Sequence, residues 1–461
     1  MDPDPNNPGN DRPNPAPPSS ITNPPQAGAP APVISNQYPQ IVDDKAKPRR
    51  KMILLVLLLA IVVIAVGGSI LYYVHNRNAS AKQQTKPIAN SAQVDQLVAA
   101  NNSFGVGVFN QLVQQSPGSN VFISPTSISM ALSMVYNGAL GNTKSAMQQT
   151  LDYQNLDLNN INKGNLALVT NLKNPDKEVT LSIANSLWLR QGVKFNNNFL
   201  NTVKQSYEAK ASTLDFSSPQ APVTINNWVS SATNGKIPTI VNQIPGSEVM
   251  YLINAVYFNG SWNKTFDKSS TQNYSFTTGD GSVIQYPLMS QEGTYKYFED
   301  NGLKSIQLPY GKNKRLSMNV YLPNNMVAFL KDFSYTQLTA WSRKYTNSQG
   351  TILLPKFKLN YSQTLNDTLT NMGMGIAFQD QANFGNIGKD LKISDVKHVT
   401  YINVDETGTE AAAATSVGIG TTSAAGPSGF FMQVDKPFLF TIQDNSTNDI
   451  LFVGVIEKPS Q

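Results

Sequence analysis

The sequence predicts an α+β domain carried behind a single membrane-crossing helix. Three observations predict it. Apolar residues recur at helical spacing early in the presumed folded part. Long strand-like runs, not adjacent to one another, dominate its later part. A run of 23 residues without a charge, Met52 to Val74, stands ahead of both.

The first 51 residues form a tail. Thirteen of the chain's 28 prolines fall within residues 1–50, among Asn, Ala and Ser. Such a segment buries too little apolar surface to offset its backbone entropy, so disorder is expected. A polyproline ligand for a small binding domain is the alternative reading. Lys47-Pro-Arg-Arg-Lys51 then leads into residues 52–74. At about 1.5 Å rise per residue, a helix of that length crosses a hydrocarbon core of roughly 30 Å. A cleavable leader has a shorter apolar region and rarely so long a preamble. Tyr72 and Tyr73 sit where an interfacial aromatic belt is expected. Five cations precede the run closely (Lys45, Lys47, Arg49, Arg50, Lys51) and three follow it (Arg77, Lys82, Lys86). This bias favours a single-pass protein of the cell membrane with a cytoplasmic N-terminus and the remainder outside. Residues 75–92, rich in Asn, Ala, Gln and Lys, read as a flexible tether with an r.m.s. reach of roughly 20–25 Å.

The folded domain is expected over 93–461. Helical spacing marks Val94 to Leu112, Thr126 to Tyr136 and Phe199 to Ala209. Strand-like runs are Val249 to Phe258, Leu316 to Leu322, Thr351 to Leu359, His398 to Val404, Phe438 to Ile442 and Ile450 to Ile456.

Composition excludes several functions. The formal charge is +5 and the pI about 9.0, values that raise nucleic acid as a partner. Residues 1–92 hold nine Lys/Arg and five Asp/Glu, a net of +4, which leaves 26 and 25, a net of +1, for the other 369 residues. The basicity flanks the apolar run, so no nucleic-acid partner is expected. Without Cys there is no disulfide framework, thiol nucleophile or thiolate metal site. With only His75 and His398, no two-His metal cluster fits the folded part. No Gly-x-Ser-x-Gly elbow accompanies His398, so a hydrolase triad is not supported. Neither a catalytic residue, a metal nor a cofactor is assigned.

The most informative stretch runs from Asp405 through Thr415 to Pro427. Thr407 followed by Glu410 is a capping-box spacing that would open a short helix through the Ala run. Read as a strand, Thr409, Ala411, Ala413, Thr415, Val417 and Ile419 share one uncharged face, and Glu410, Ala412 and Ala414 the other. A flexible surface loop is the third reading. All three stand on the residues alone.

Glu406-Thr-Gly-Thr-Glu-Ala-Ala-Ala-Ala-Thr415 resembles the hinge of the serpin family. The likeness extends over about 93–459. Asn120-Val-Phe-Ile-Ser-Pro-Thr-Ser-Ile-Ser129, Leu181-Ser-Ile-Ala-Asn-Ser-Leu-Trp188, Asn254-Ala-Val-Tyr-Phe-Asn-Gly-Ser-Trp262, Leu354-Pro-Lys-Phe357, Ser394-Asp-Val-Lys-His398, Asp435-Lys-Pro-Phe-Leu-Phe440 and Ile450-Leu-Phe-Val-Gly454 follow in family order. The resemblance implies about nine helices around three β-sheets with an exposed reactive loop. It also implies a suicide-substrate inhibitor of serine proteases, itself no enzyme. The target cleaves the loop and is trapped as an acyl-enzyme while the hinge enters the central sheet as a new strand, a strand addition known as a switching device. By resemblance, the hinge comprises Glu406, Gly408, Thr409, Glu410, Ala411, Ala412, Ala413, Ala414 and Thr415. Ser124, Ser127, Asn254 and His398 map onto a hydrogen-bonded shutter, and Trp262 onto the breach where insertion begins. From the residues alone, Ser124 and Ser127 equally suit helix capping, and His398 a satisfied core imidazole. Family spacing places the scissile bond at Thr422–Ser423, with neighbouring bonds from Ile419 to Gly426 open because the chain runs a few residues long before Pro437. No Lys or Arg lies between Lys397 and Lys436, which favours an elastase-like or subtilisin-like target over a trypsin-like one. A monomer is expected. The alternative is a non-inhibitory member acting as a carrier or binding scaffold.

Overall fold

The computed structural model describes residues 91–409 and 429–461. The tail, the apolar run 52–74 and the tether up to residue 90 lie outside them, as do Glu410, Ala411, Ala412, Ala413, Ala414, Thr415, Thr422 and Ser423. Among the described residues no helix is long and apolar enough to cross a membrane.

Helix α1 (Ser91–Gln115) opens the fold and buries Leu97, Val108, Phe109 and Leu112 on one stripe. After β1 (Val121–Ile123) comes α2 (Pro125–Tyr136), in which all twelve residues are buried. Pro125 suits its first turn, where a missing N–H costs nothing. The remaining α-helices among the described residues are α3 (Gly141–Thr150), α4 (Leu158–Leu172), α5 (Asn197–Ser206), α6 (Gln220–Ala232), α7 (Met326–Asp332), α8 (Tyr335–Ser342) and α9 (Asn366–Leu369). The expected helix over Phe199 to Ala209 stops at Ser206. Glu208 takes a positive φ of 49°, which a helix does not accommodate, and the chain then enters a strand.

A six-stranded sheet has the order β10-β11-β12-β4-β2-β3. Its members are β2 (Val179–Arg190), β3 (Lys210–Leu214), β4 (Met250–Ser261), β10 (Phe357–Thr364), β11 (Asp395–Val404) and the two-residue β12 (Gly408–Thr409). One face packs on α2. The other carries a separate cluster of Trp188, Tyr251 and Ile253 beneath Ile225 and Val229 of α6. Covered on both sides, β4 reads as the near-continuous apolar run expected of a doubly buried strand.

The other strands are β5 (Gln272–Thr277), β6 (Val283–Asp300), β7 (Leu303–Pro309), β8 (Leu316–Pro323), β9 (Thr346–Pro355), β13 (Phe430–Gln433), β14 (Phe438–Asp444) and β15 (Asp449–Ile456). With β1 they form one nine-stranded sheet, ordered β1-β15-β14-β8-β7-β6-β9-β13 with β5 on β6. The described residues thus hold two hydrogen-bonded sheets where three were expected. The reason is β6. Its 18 residues pair with β5 at one end, β9 in the middle and β7 at the other end, so one continuous strand joins two groups. The expected single strand from Thr351 to Leu359 is also two. Pro355 ends β9 against Leu288, and Phe357 starts β10 against Val404 in the other sheet. Proline has no N–H to continue a ladder, and apolar alternation cannot register a change of sheet.

Candidate functional site

Strands β4 and β11 come from distant parts of the chain and run parallel, paired from Tyr251↔Asp395 to Tyr257↔Tyr401. Beyond Tyr401 they separate. Into that opening fits β12, antiparallel to both, with Thr409 opposite Val404 of β11 and Gly260 of β4, and Gly408 opposite Ser261. A tight turn makes this possible. The Asp405 carboxylate accepts from the N–H groups of Thr407 (2.8 Å) and Gly408 (3.3 Å), and the Asp405 N–H donates to the Gly408 carbonyl at 2.9 Å. Glycine is required at 408 because a Cβ there would lie 2.2 Å from the Gly260 carbonyl oxygen. The capping-box helix is therefore not formed at its start: Thr407 leads into a strand. Whether the strand reading continues past Thr409 falls outside the described residues.

Trp262, just past β4, holds this turn. Its indole Nε1–H donates to the Asp405 carbonyl at 2.9 Å, and its backbone N–H to the Thr407 carbonyl at 3.0 Å. Its ring stacks on Tyr310 with centroids 4.5 Å apart. The Tyr310 hydroxyl in turn bonds the Thr409 hydroxyl at 2.7 Å, both residues being fully buried. Burial pushes the Tyr310 phenol well up, so it stays protonated. Glu406, only 5% exposed, takes a bond from Thr271 (2.8 Å) and an ion pair from Lys356 (3.1 Å). Burial alone would push its carboxyl up, but its own backbone N–H, Thr271 and Lys356 together bring it below the ordinary value.

Below the opening, His398 and Asn254 face each other across the parallel pair, and Asn185 of β2 faces Asn254 on its other side. The Ser124 N–H can only donate, and it lies 3.2 Å from His398 Nε2. Nε2 therefore accepts, which leaves Nδ1–H to donate to Asn254 Oδ1 at 2.5 Å. The Asn254 amide donates to the Ser127 carbonyl (3.1 Å), to the Ser127 hydroxyl and to Asn185 Oδ1 (2.5 Å). Burial lowers the imidazole pKa from 6.5 to about 3, so it is neutral at physiological pH.

The structure thus brings Ser124, Ser127, Asn254 and His398 into one buried network, and Trp262, Glu406, Gly408 and Thr409 into another. Ser124 takes part through its backbone, and its side chain makes no capping bond. Sequence reasoning missed Asn185, Tyr310, Asp405, Thr271 and Lys356. For Asn185 a signal existed, an amide at the centre of a strand between the apolar pairs Ile183-Ala184 and Leu187-Trp188. For Tyr310 there was none, since nothing local tells that an aromatic at the end of β7 meets Trp262.

A family model described as serpin (serine protease inhibitor) matches residues 99–459. The chain belongs to the serpin family. A serpin-like protein of Methanosarcina mazei is 34% identical over 399 residues, covering 84% of this chain and 93% of its own. The human leukocyte elastase inhibitor is 31% identical, covering 79% of this chain and 100% of its own. Among solved structures, native tengpin, a thermophilic serpin, superposes with a TM-score of 0.72 at 33% identity over 78% of this chain and 94% of its own. Human thyroxine-binding globulin with its hormone gives 0.74 at 29% identity over 80% and 100%. The proteins it resembles thus include both a protease inhibitor and a thyroxine-binding protein.

Proposed function

We propose that this serpin is a membrane-anchored inhibitor of elastase-like or subtilisin-like serine proteases, acting by loop cleavage, acyl-enzyme trapping and insertion of the hinge between β4 and β11. The observation that carries it is β12, whose register supplies the template. In the proposed inserted state the hinge continues that register, with Ala411 between Ile402 and Phe258, Ala413 between Thr400 and Val256, and Thr415 between His398 and Asn254. Every such residue shares the inward face of Thr409. Small side chains suit a slot between closed strands. At the Thr415 level insertion must part His398 from Asn254, and a hydroxyl arriving there can bond both. About ten new ladder bonds, each worth roughly 0.5–1.5 kcal/mol net, supply the driving force. The bond cut is proposed at Thr422–Ser423.

The uncharged run 52–74 and its flanking cations support anchoring, with the tail cytoplasmic and the serpin domain outside. The likeness to thyroxine-binding globulin favours a second reading, a carrier or binding scaffold. One experiment separates the two. Residues 85–461, one compact unit, are incubated with elastase and with subtilisin and run on a denaturing gel. Inhibition predicts a covalent band at the summed mass. Loop cleavage with full survival of both proteases would leave only the scaffold reading. Ala411→Arg should convert inhibitor to substrate, because insertion then buries an unpaired charge at a cost of several kcal/mol.

A further inference from the structure

A cavity of about 450 Å³ opens beside the breach. Its volume is within the range of small-molecule sites, roughly 300–1,000 Å³. Trp262, Phe266 and Tyr295 supply its aromatic wall, and Lys264, Lys296 and Lys314 its charge. Among the described residues no Asp or Glu lines it. The polar side chains around it are fixed in place. Tyr295 donates to Gln291 Oε1 at 2.6 Å, and Asn445 holds the Lys314 carbonyl (2.9 Å) and the Ser317 hydroxyl (2.7 Å). Lys264 is turned to the Glu292 carbonyl, which leaves Lys296 and Lys314, both exposed, to define the field at the mouth.

We propose that this cavity binds a small planar organic anion, an aromatic carboxylate or sulfonate. Its ring packs against Trp262 and Tyr295, and its acid group meets Lys296 and Lys314. The class follows from the lining. Three cations without a carboxylate disfavour a cation, and an aromatic wall favours a flat ring over a bare inorganic ion. The cavity shares Trp262 with the turn that seats β12, so occupancy is linked to that turn. A ligand bound to this arrangement stabilises it against any that moves Trp262.

The test is titration calorimetry of residues 85–461 with naphthalene-1-sulfonate and with its neutral analogue naphthalene-1-sulfonamide. The expected result is one saturable site for the sulfonate, a weaker one for the sulfonamide, and a Kd raised about tenfold by Lys296→Gln with Lys314→Gln. Both lysines are exposed, so that variant keeps its fold. Amide exchange at Thr407 and Gly408 should slow when the sulfonate is bound, a readout independent of any protease. Equal affinity in the parent and the double variant, equal affinity for the two ligands, or no saturable site would each overturn the assignment. Unchanged exchange with the site occupied would overturn the linkage.

Discussion

A drop in pH sets two buried groups against each other, and the structure gives the size of each effect. The His398 pKa is lowered by burial from 6.5 to about 3. Between those values the unfolded chain takes up a proton that the folded chain refuses. Its contribution to stability is therefore full above about pH 6.5 and is lost as the pH falls toward 3. At pH 5 the loss is about 2 kcal/mol. Asp449 behaves in the opposite way. Burial, aided by the charge of Asp444 and resisted by the bond from Thr126, raises its carboxyl from 3.8 to about 7. Here the folded chain keeps a proton that the unfolded chain releases. Its contribution is full below about pH 3.8 and is lost as the pH rises to about 7. From pH 5 to 7.5 that loss is also about 2 kcal/mol. The two oppose each other across this range, and Asp395 and Glu457, whose carboxyls burial also raises, act in the same direction as Asp449. His398→Gln removes one titration and should shift the stability difference between pH 5 and 7.5 by about 2 kcal/mol in favour of pH 5 relative to the parent; Asp449→Asn should shift it by a similar amount the other way. The readout is the difference between midpoints, so the static cost of each substitution drops out. If His398→Gln keeps the parent's pH dependence, His398 is not the neutral buried imidazole that the Ser124 and Asn254 bonds require.

Three further outcomes follow from the same geometry. Asn185→Ala removes the partner of the Asn254 amide at 2.5 Å and should cost about 1–3 kcal/mol, read as a fall in urea midpoint. Gly408→Ala forces a Cβ toward the Gly260 carbonyl and should unseat β12, seen as fast amide exchange at Thr409 with the remainder of the six-stranded sheet still protected. Lys356→Met strips the buried Glu406 carboxylate of its ion pair, leaving burial opposed only by Thr271 and its own backbone N–H. The Glu406 carboxyl should then titrate higher than in the parent, measurable by NMR, and the stability it contributes above its unfolded pKa should shrink.

Much of this arrangement was legible in the chain. Helices α1 and α2 followed from apolar spacing, and β4, β8, β11, β14 and β15 from β-rich apolar runs, because burial of one stripe or two faces writes a local period. Motif order pointed to the serpin family and to Ser124, Ser127, Asn254, His398 and Trp262 as participants. What failed did so where local pattern is blind. The passage of Thr351 to Leu359 from one sheet to the other leaves its alternation intact, and the fusion of two strand groups through β6 depends on which strands lie beside it. The helix, strand and loop readings of Asp405 onward all stood open on the residues alone. Trp262, Tyr310 and the gap between β4 and β11 decided in favour of the strand for Gly408 and Thr409.

The sequence by itself determined the amphipathic elements, the near-neutral charge of the serpin domain and the concentration of basic residues around an uncharged run. Each is a property of neighbouring residues and needs no partner. Only the tertiary structure decided that His398 is a neutral donor to Asn254, that Asn185 completes the row, and that a two-residue strand already occupies the mouth of the central sheet. Those depend on side chains 69 to 144 residues apart meeting in a place without water, where a bond's worth is set by what else can satisfy its atoms.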